Sequence, residues 1–162
     1  MNLTPEQIAA AMGAEIVARG APGRPRRAII DSGEAEEGDL FFGLRGENVD
    51  GGEFAPAAIA AGAWGVVVSP AARSRLSLDD RDNCERTRGG GGAWVFAVAD
   101  PLAALQSLAS TWRHELGVPV VGITGSVGKT SVKDIARALL PGAVHANREN
   151  LNTEIGLPLT IL

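Results

Sequence analysis

Short, nearly continuous apolar runs alternate along this chain with stretches whose apolar residues recur every three or four positions. The runs at 27–32, 39–44, 64–69, 93–99 and 119–123 predict strands, most of them buried on both faces. Residues 15–18 and 143–146 predict shorter ones. The periodic stretches between them predict helices. Thr4 is an N-cap, Pro5 takes the first helical position and Gln7 completes a capping box, with Gly13 ending that helix. Residues 53–61 place Phe54, Ala57, Ala58 and Ala61 on one face before Gly62, and residues 70–76 allow a short helical turn. Asp100 and Pro101 open a long helix striped by Leu102, Leu105, Leu108, Ala109, Trp112 and Leu116, and Gly117 stops it. Residues 129–140 give another helix, with Val132, Ile135, Ala136 and Leu139 as its packed face and Pro141 and Gly142 as its break. A last apolar element begins at 153. Strands alternating with helices predict an α/β fold with parallel sheets and crossover helices.

Composition narrows the picture. A chain of 162 residues allows one or two domains, and 45% apolar residues are enough for a real core. The formal charge of −4, with no long basic run, argues against a nucleic-acid surface. Cys84 is the only cysteine, which excludes an internal disulfide and fits a reducing compartment. No apolar run approaches a membrane span, and the first residues lack the regions of a signal peptide, so the expected address is the cytoplasm. Residues 77–92 are charged and then all glycine, which predicts a surface loop in which Asp79, Asp80 and Asp82 are solvated acids. His114, near the end of its helix, reads as a surface residue.

The chemistry concentrates at 120–131, which reads as a strand, a glycine-rich turn and a helix start. Gly125, Ser126, Val127, Gly128, Lys129, Thr130 and Ser131 have the form of a phosphate-binding loop. Backbone N–H groups of such a loop, with the first helical turn, form a nest for phosphate oxygens. Lys129 can reach the β- and γ-phosphates, and the Thr130 hydroxyl can ligate Mg²⁺. Lys129 and Lys133 are the only lysines in the chain. The general pattern wants glycine six positions before the lysine, where this chain has Ile123, with glycines at 122 and 125 instead.

That variant, Gly-x-Thr-Gly-Ser-x-Gly-Lys-Thr, resembles the loop of the Mur ligase family, ATP-dependent amide-forming enzymes of peptidoglycan precursor synthesis. Two further segments resemble the same family in the same order. Asp31-Ser32, Gly38-Asp39-Leu40-Phe41-Phe42-Gly43-Leu44, Gly46, Asp50-Gly51 and Ala60-Ala61-Gly62-Ala63 look like the domain that holds the UDP-linked muramoyl substrate. The run from Asn147 to Thr160 resembles the segment of the branch that adds D-alanyl-D-alanine to UDP-MurNAc-tripeptide.

The resemblance implies an N-terminal α/β substrate domain over 1–99 and the start of a P-loop, parallel-sheet ATP-binding domain over 100–162, cut off before completion. It implies that Ser32, Gly46, Asp50 and Gly51 face the uridine diphosphate. It implies that Lys129 stabilises the γ-phosphate and that Thr130 and Glu154 hold Mg²⁺; Asn152 matches the first residue of the family's Asn pair and Thr153 replaces the second. Family members commonly carry Arg after the Asp-Ser pair. This chain has Gly33, so that cation is lost or comes from Arg45 or Arg27. The implied reaction joins D-alanyl-D-alanine to UDP-MurNAc-tripeptide through an acyl phosphate, in a monomer with no membrane or nucleic-acid partner, and a chain this short is not expected to turn over alone. Two alternatives share the loop: another Mur-type ligase, either amino-acid-adding or of the folylpolyglutamate branch, and a non-catalytic nucleotide-binding module.

Overall fold

The structure, a computed structural model, describes residues 1–47, 49–76, 92–147 and 153–162. The expectations for the loop at 77–91, for Cys84 and for Asn152 fall outside these residues. The described elements are α1 (Pro5–Met12), β1 (Glu15–Ala18), β2 (Ala28–Ile29), β3 (Leu40–Phe42), α2 (Ala55–Ala60), β4 (Gly65–Val68), α3 (Pro70–Arg75), β5 (Trp94–Ala97), α4 (Pro101–Leu116), α5 (Lys129–Leu139) and α6 (Gly156–Ile161). Two 3-10 turns, Ser32–Glu34 and Gly51–Phe54, follow β2 and precede α2.

The five strands form one sheet in the order β1-β5-β4-β3-β2. β2, β3, β4 and β5 run parallel, while β1 pairs antiparallel with β5. No crossover helix joins β1 to β5, so nothing forces that pair to be parallel. Alternation of side chains feeds two cores. Leu40, Phe42, Val67, Trp94 and Phe96 face one side, where Ile8 and Met12 of α1 and Leu105 and Leu108 of α4 cover them. Phe41, Val66, Val68 and Val95 face the other, under Ala55 and Ala58 of α2 and Ala72 of α3. Both faces of the central strands are covered, which is why these strands read as unbroken apolar runs. α6 returns to the first core through Ile155, Leu159 and Leu162, so the segment after 152 packs against the N-terminal unit.

Helix ends follow their sequence signals. In α1 the Gln7 amide donates to Thr4 Oγ1 at 3.2 Å and the Thr4 amide to Gln7 Oε1 at 2.8 Å. In α4 the Asp100 carboxylate accepts from the Leu102 and Ala103 amides at 2.9 and 3.3 Å.

The end of the sheet where β2 and β3 begin is held by charge. The carboxylate of Asp39, fully buried, accepts from Arg27 Nη2 at 3.1 Å, Arg26 Nε at 3.3 Å and the Glu36 amide at 3.1 Å. Glu36, largely exposed, pairs with Arg26. The hydrogen bond from Arg26, then the charges of Arg26 and Arg27, hold the Glu36 carboxyl below its ordinary 4.5. A depressed carboxylate adds stability above the unfolded value and loses it as pH falls through the folded one. Wild type should therefore lose stability below about pH 4.5 more steeply than Glu36→Gln, by a small margin because the pair is solvent-screened. Thermal melts from neutral pH to about pH 3 check this, and parallel curves would refute it.

Two predicted strands and one predicted packed face are absent. Residues 119–123 and 143–146 form no strand, and Val120 and Val121 are 60% and 65% exposed. The α5 face is likewise open, with Val132, Ile135 and Leu139 at 51%, 59% and 77%. A strand needs a neighbour for its ladder bonds, and no described strand lies beside these residues.

Candidate functional site

Because β2 to β5 are parallel, the segments leaving their C-terminal ends gather at one end of the sheet. These are Ser32 after β2, the loop 43–52 after β3, Ser69 after β4 and Asp100 after β5. Crevices beyond the carboxyl ends of parallel strands are where open α/β sheets take ligands. A cavity of about 460 Å³ lies there, between Leu44, Arg45, Gly46 and Glu47 on one side and Asp100 to Leu102 with Ile155 on the other.

The loop that lines it is tightly built. The Gly51 amide donates to the Leu44 carbonyl at 2.9 Å, and the Gly46 amide to Val49 O at 2.9 Å. Arg45 and Asp50 form a backbone bridge across the loop. A Cβ on Gly51 would lie 2.3 Å from Leu44 O, and one on Gly43 would lie 2.5 Å from the Gly52 Cα, so the neck of the loop admits only glycine. Asp50 Oδ1 accepts from the Gly52 amide at 3.0 Å, and Oδ2 accepts from Ser69 Oγ at 2.7 Å. Ser69 Oγ in turn accepts from the Ala72 amide at 3.1 Å, capping α3.

Of the four residues expected to face the uridine diphosphate, Gly46 lines the cavity. Gly51 forms the loop neck, and Asp50 turns both carboxylate oxygens inward. Ser32 opens the 3-10 turn after β2, where Asp31 Oδ1 accepts from the Gly33 amide at 2.8 Å, and it is not part of the cavity wall. The two candidate cations separate. Arg27 is bound to Asp39 at the far end of the sheet, whereas Arg45 is exposed and borders the cavity.

The phosphate loop stands in solvent with the expected backbone. Gly125 has φ 150° and Gly128 has φ 82°, the left-handed conformation that lets the chain turn into α5. No atom lies within 4 Å of where a Gly128 Cβ would sit, so the backbone conformation alone demands glycine there. Lys129 Nζ folds back to donate to the Gly125 carbonyl. Ser126, Val127, Thr130 and Ser131 are exposed. The cradle is open and amide-lined, and the lone lysine above it suits a phosphate chain.

Glu154 is exposed, and its carbonyl accepts from Gln106 Nε2 of α4 at 3.2 Å. Thr153 Oγ1 accepts from the Gly156 amide at 3.0 Å. No group of three His, Cys, Asp or Glu among the described residues could hold a metal ion. One carboxylate, one hydroxyl and phosphate oxygens form a set that suits Mg²⁺, which keeps several waters. Two residues acquire roles that periodicity did not predict. Ser69 was legible only as the last residue of the strand at 64–69. Lys133 is half-buried and donates to the Asn147 carbonyl at 3.1 Å, tying α5 to the start of the Asn-rich segment. His114 is exposed, as expected, with Nδ1 at 2.7 Å from Ser110 O.

The sequence model of the Mur ligase family, catalytic domain, matches residues 28–113. This chain belongs to the Mur ligase family. It is 41% identical over 136 residues to the UDP-N-acetylmuramoyl-tripeptide–D-alanyl-D-alanine ligase of Synechocystis, covering 82% of this chain and 26% of the relative. It is 39% identical over 134 residues to the ligase of that name from Bacillus subtilis, with the same coverage. Among solved structures it resembles MurF ligase from Thermotoga maritima in complex with ADP, with TM-score 0.63, 33% identity, and 84% of this chain matched to 28% of that one. It also resembles MurF from Acinetobacter baumannii, with TM-score 0.73, 26% identity, and 98% of this chain matched to 32% of that one. This Mur ligase chain thus spans about a quarter to a third of the length of the relatives it matches. No helix among the described residues is long and apolar enough to cross a membrane.

Proposed function

We propose that this chain is the substrate- and phosphate-binding part of a D-alanyl-D-alanine-adding Mur ligase. Residues 1–99 recognise UDP-MurNAc-tripeptide, and residues 100–162 open the ATP-binding unit. The observation that carries the reading is the left-handed Gly128 leading directly into Lys129 and Thr130 at the start of α5, in a chain whose relatives bear that ligase name. The tripeptide carboxylate takes the γ-phosphoryl group of ATP, with ADP leaving, and the amine of D-alanyl-D-alanine attacks the resulting acyl phosphate, forming the amide as inorganic phosphate and the amine proton depart. Lys129 neutralises charge on the γ-phosphate, as positioning and electrostatics dominate phosphoryl transfer. The amides of Gly125, Ser126, Val127 and Gly128 cradle the phosphates, and Ser131 extends the cradle into the first turn of α5. Thr130 and Glu154 would hold Mg²⁺.

In the UDP site Gly46 lines the wall, Asp50 and Gly51 shape the loop behind it, Ser32 stands on the neighbouring turn after β2, and Arg45 supplies the cation that Gly33 does not. The reading carries with it a cytoplasmic, monomeric protein with no membrane partner. Titration calorimetry with UDP-MurNAc-tripeptide and, separately, with Mg-ATP tests the two halves. Heat is expected from each, and its absence with the UDP ligand would overturn the substrate half. Arg45→Ala should weaken UDP about tenfold while leaving uridine binding unchanged, as loss of one charge-assisted contact to phosphate predicts.

A further inference from the structure

We propose that Ser69 is a positioning residue for the UDP site, acting through Asp50 on the loop that carries Arg45 and Gly46. The inference rests on the substrate reading above. Ser69 is 1% exposed and lies at the end of β4, with no place in the cavity wall. Its hydroxyl is nevertheless fully committed, donating to Asp50 Oδ2 at 2.7 Å and accepting from the Ala72 amide at 3.1 Å. Asp50 accepts that bond at the far side of the loop, where its backbone bridges to Arg45. Its other oxygen fixes the Gly52 amide at 3.0 Å, next to the glycine neck.

A continuous chain of bonds therefore runs from a rigid buried strand end, through one carboxylate, to the backbone of the cavity's cation. Arg45 side-chain placement depends on that backbone, because its guanidinium is on the exposed side. A partly buried hydroxyl–carboxylate bond from the β4–α3 junction is a stiffer anchor than any contact the loop makes in solvent. Asp50, which sequence assigned to the ligand, is on this account the intermediate of the link.

The test is a double-mutant cycle on the full chain. Ser69→Ala and Asp50→Asn should each weaken UDP about tenfold, the double variant should be no weaker than either single one, and Mg-ADP affinity should not change. Ser69→Thr, which keeps the hydroxyl, should retain most of the affinity. Loss of the α3 cap alone would lower the melting temperature without this coupling. Hydrogen exchange supplies a readout independent of ligand. The Gly46 and Gly51 amides should exchange faster in Ser69→Ala, with the amides of β3 and β4 unchanged. Additive losses in UDP affinity, or unchanged exchange at Gly46 and Gly51, would overturn the link. If wild type bound no UDP, the substrate reading would fall, and the exchange experiment would still decide whether Ser69 holds the loop.

Discussion

Replacing Lys129 by alanine should weaken Mg-ATP binding by about a hundredfold or more, the scale on which single charge-stabilising donors act at transferring phosphates. The structure makes this a clean experiment. Lys129 is exposed, its one recorded bond is to the Gly125 carbonyl, and it contributes nothing to either core. Its removal should leave the stability within about 0.5 kcal/mol of wild type, as for other surface changes. Arginine at the same position should not restore binding, because a planar guanidinium cannot enter a nest shaped for a point charge. Calorimetry with Mg-ATP, paired with a thermal melt, separates loss of the ligand contact from loss of fold. Undiminished affinity in Lys129→Ala would remove the loop from the ATP site.

The sheet was legible because its signals are local and redundant. Phe41 and Phe42 point to opposite cores, and so do Val66 and Val67, yet both cores are apolar. An unbroken apolar run therefore identifies a strand whichever residue faces which helix. Helix starts at Thr4 and Asp100 were legible for a different reason: side-chain caps and the following prolines act within three residues. What failed was the segment 119–123. Its sequence is that of a buried strand, but a strand exists only where another strand receives its backbone, and no sequence window carries that information. The amphipathic face of α5 failed for the same cause. Val132, Ile135 and Leu139 are correctly spaced for packing, yet all three are left exposed.

The candidate site divides along similar lines. Phosphate-loop chemistry is contiguous in sequence, so Gly128, Lys129 and Thr130 were found together. The cavity, in contrast, is assembled from the end of β3, the start of α4 and Ile155, separated by most of the chain. Only topology brings them to one place. Asp50 shows the limit from the other side. The resemblance to Mur ligases implied a ligand contact for it, and its carboxylate also accepts from the Gly52 amide and the Ser69 hydroxyl within the protein. The difference between a residue that touches a ligand and one that shapes a loop lies in what its oxygens already accept.

The same distinction predicts the largest stability effect in the chain. Asp39→Ala should cost about 1–3 kcal/mol, the usual result of leaving buried donors without their acceptor, because both arginines stay about half exposed. The carboxylate accepts from two arginines and from the Glu36 amide; Arg26 also pairs with Glu36 and Arg27 also donates to the Glu34 carbonyl, so the arginines keep other acceptors. Against a typical total of about 5–15 kcal/mol, that loss is readily measured. Asp39→Asn keeps one acceptor oxygen and should cost roughly half as much. Urea unfolding checks both variants, with a lowered midpoint and an unchanged slope as the expected result. A shift equivalent to less than about 1 kcal/mol would show that the arginines, which retain solvent contact, already offset the loss. Asp39 lies where β3 begins, whereas the cavity lies where β3 ends. Folded Asp39→Asn protein should therefore bind UDP as wild type does, with stability and recognition set at opposite ends of one strand.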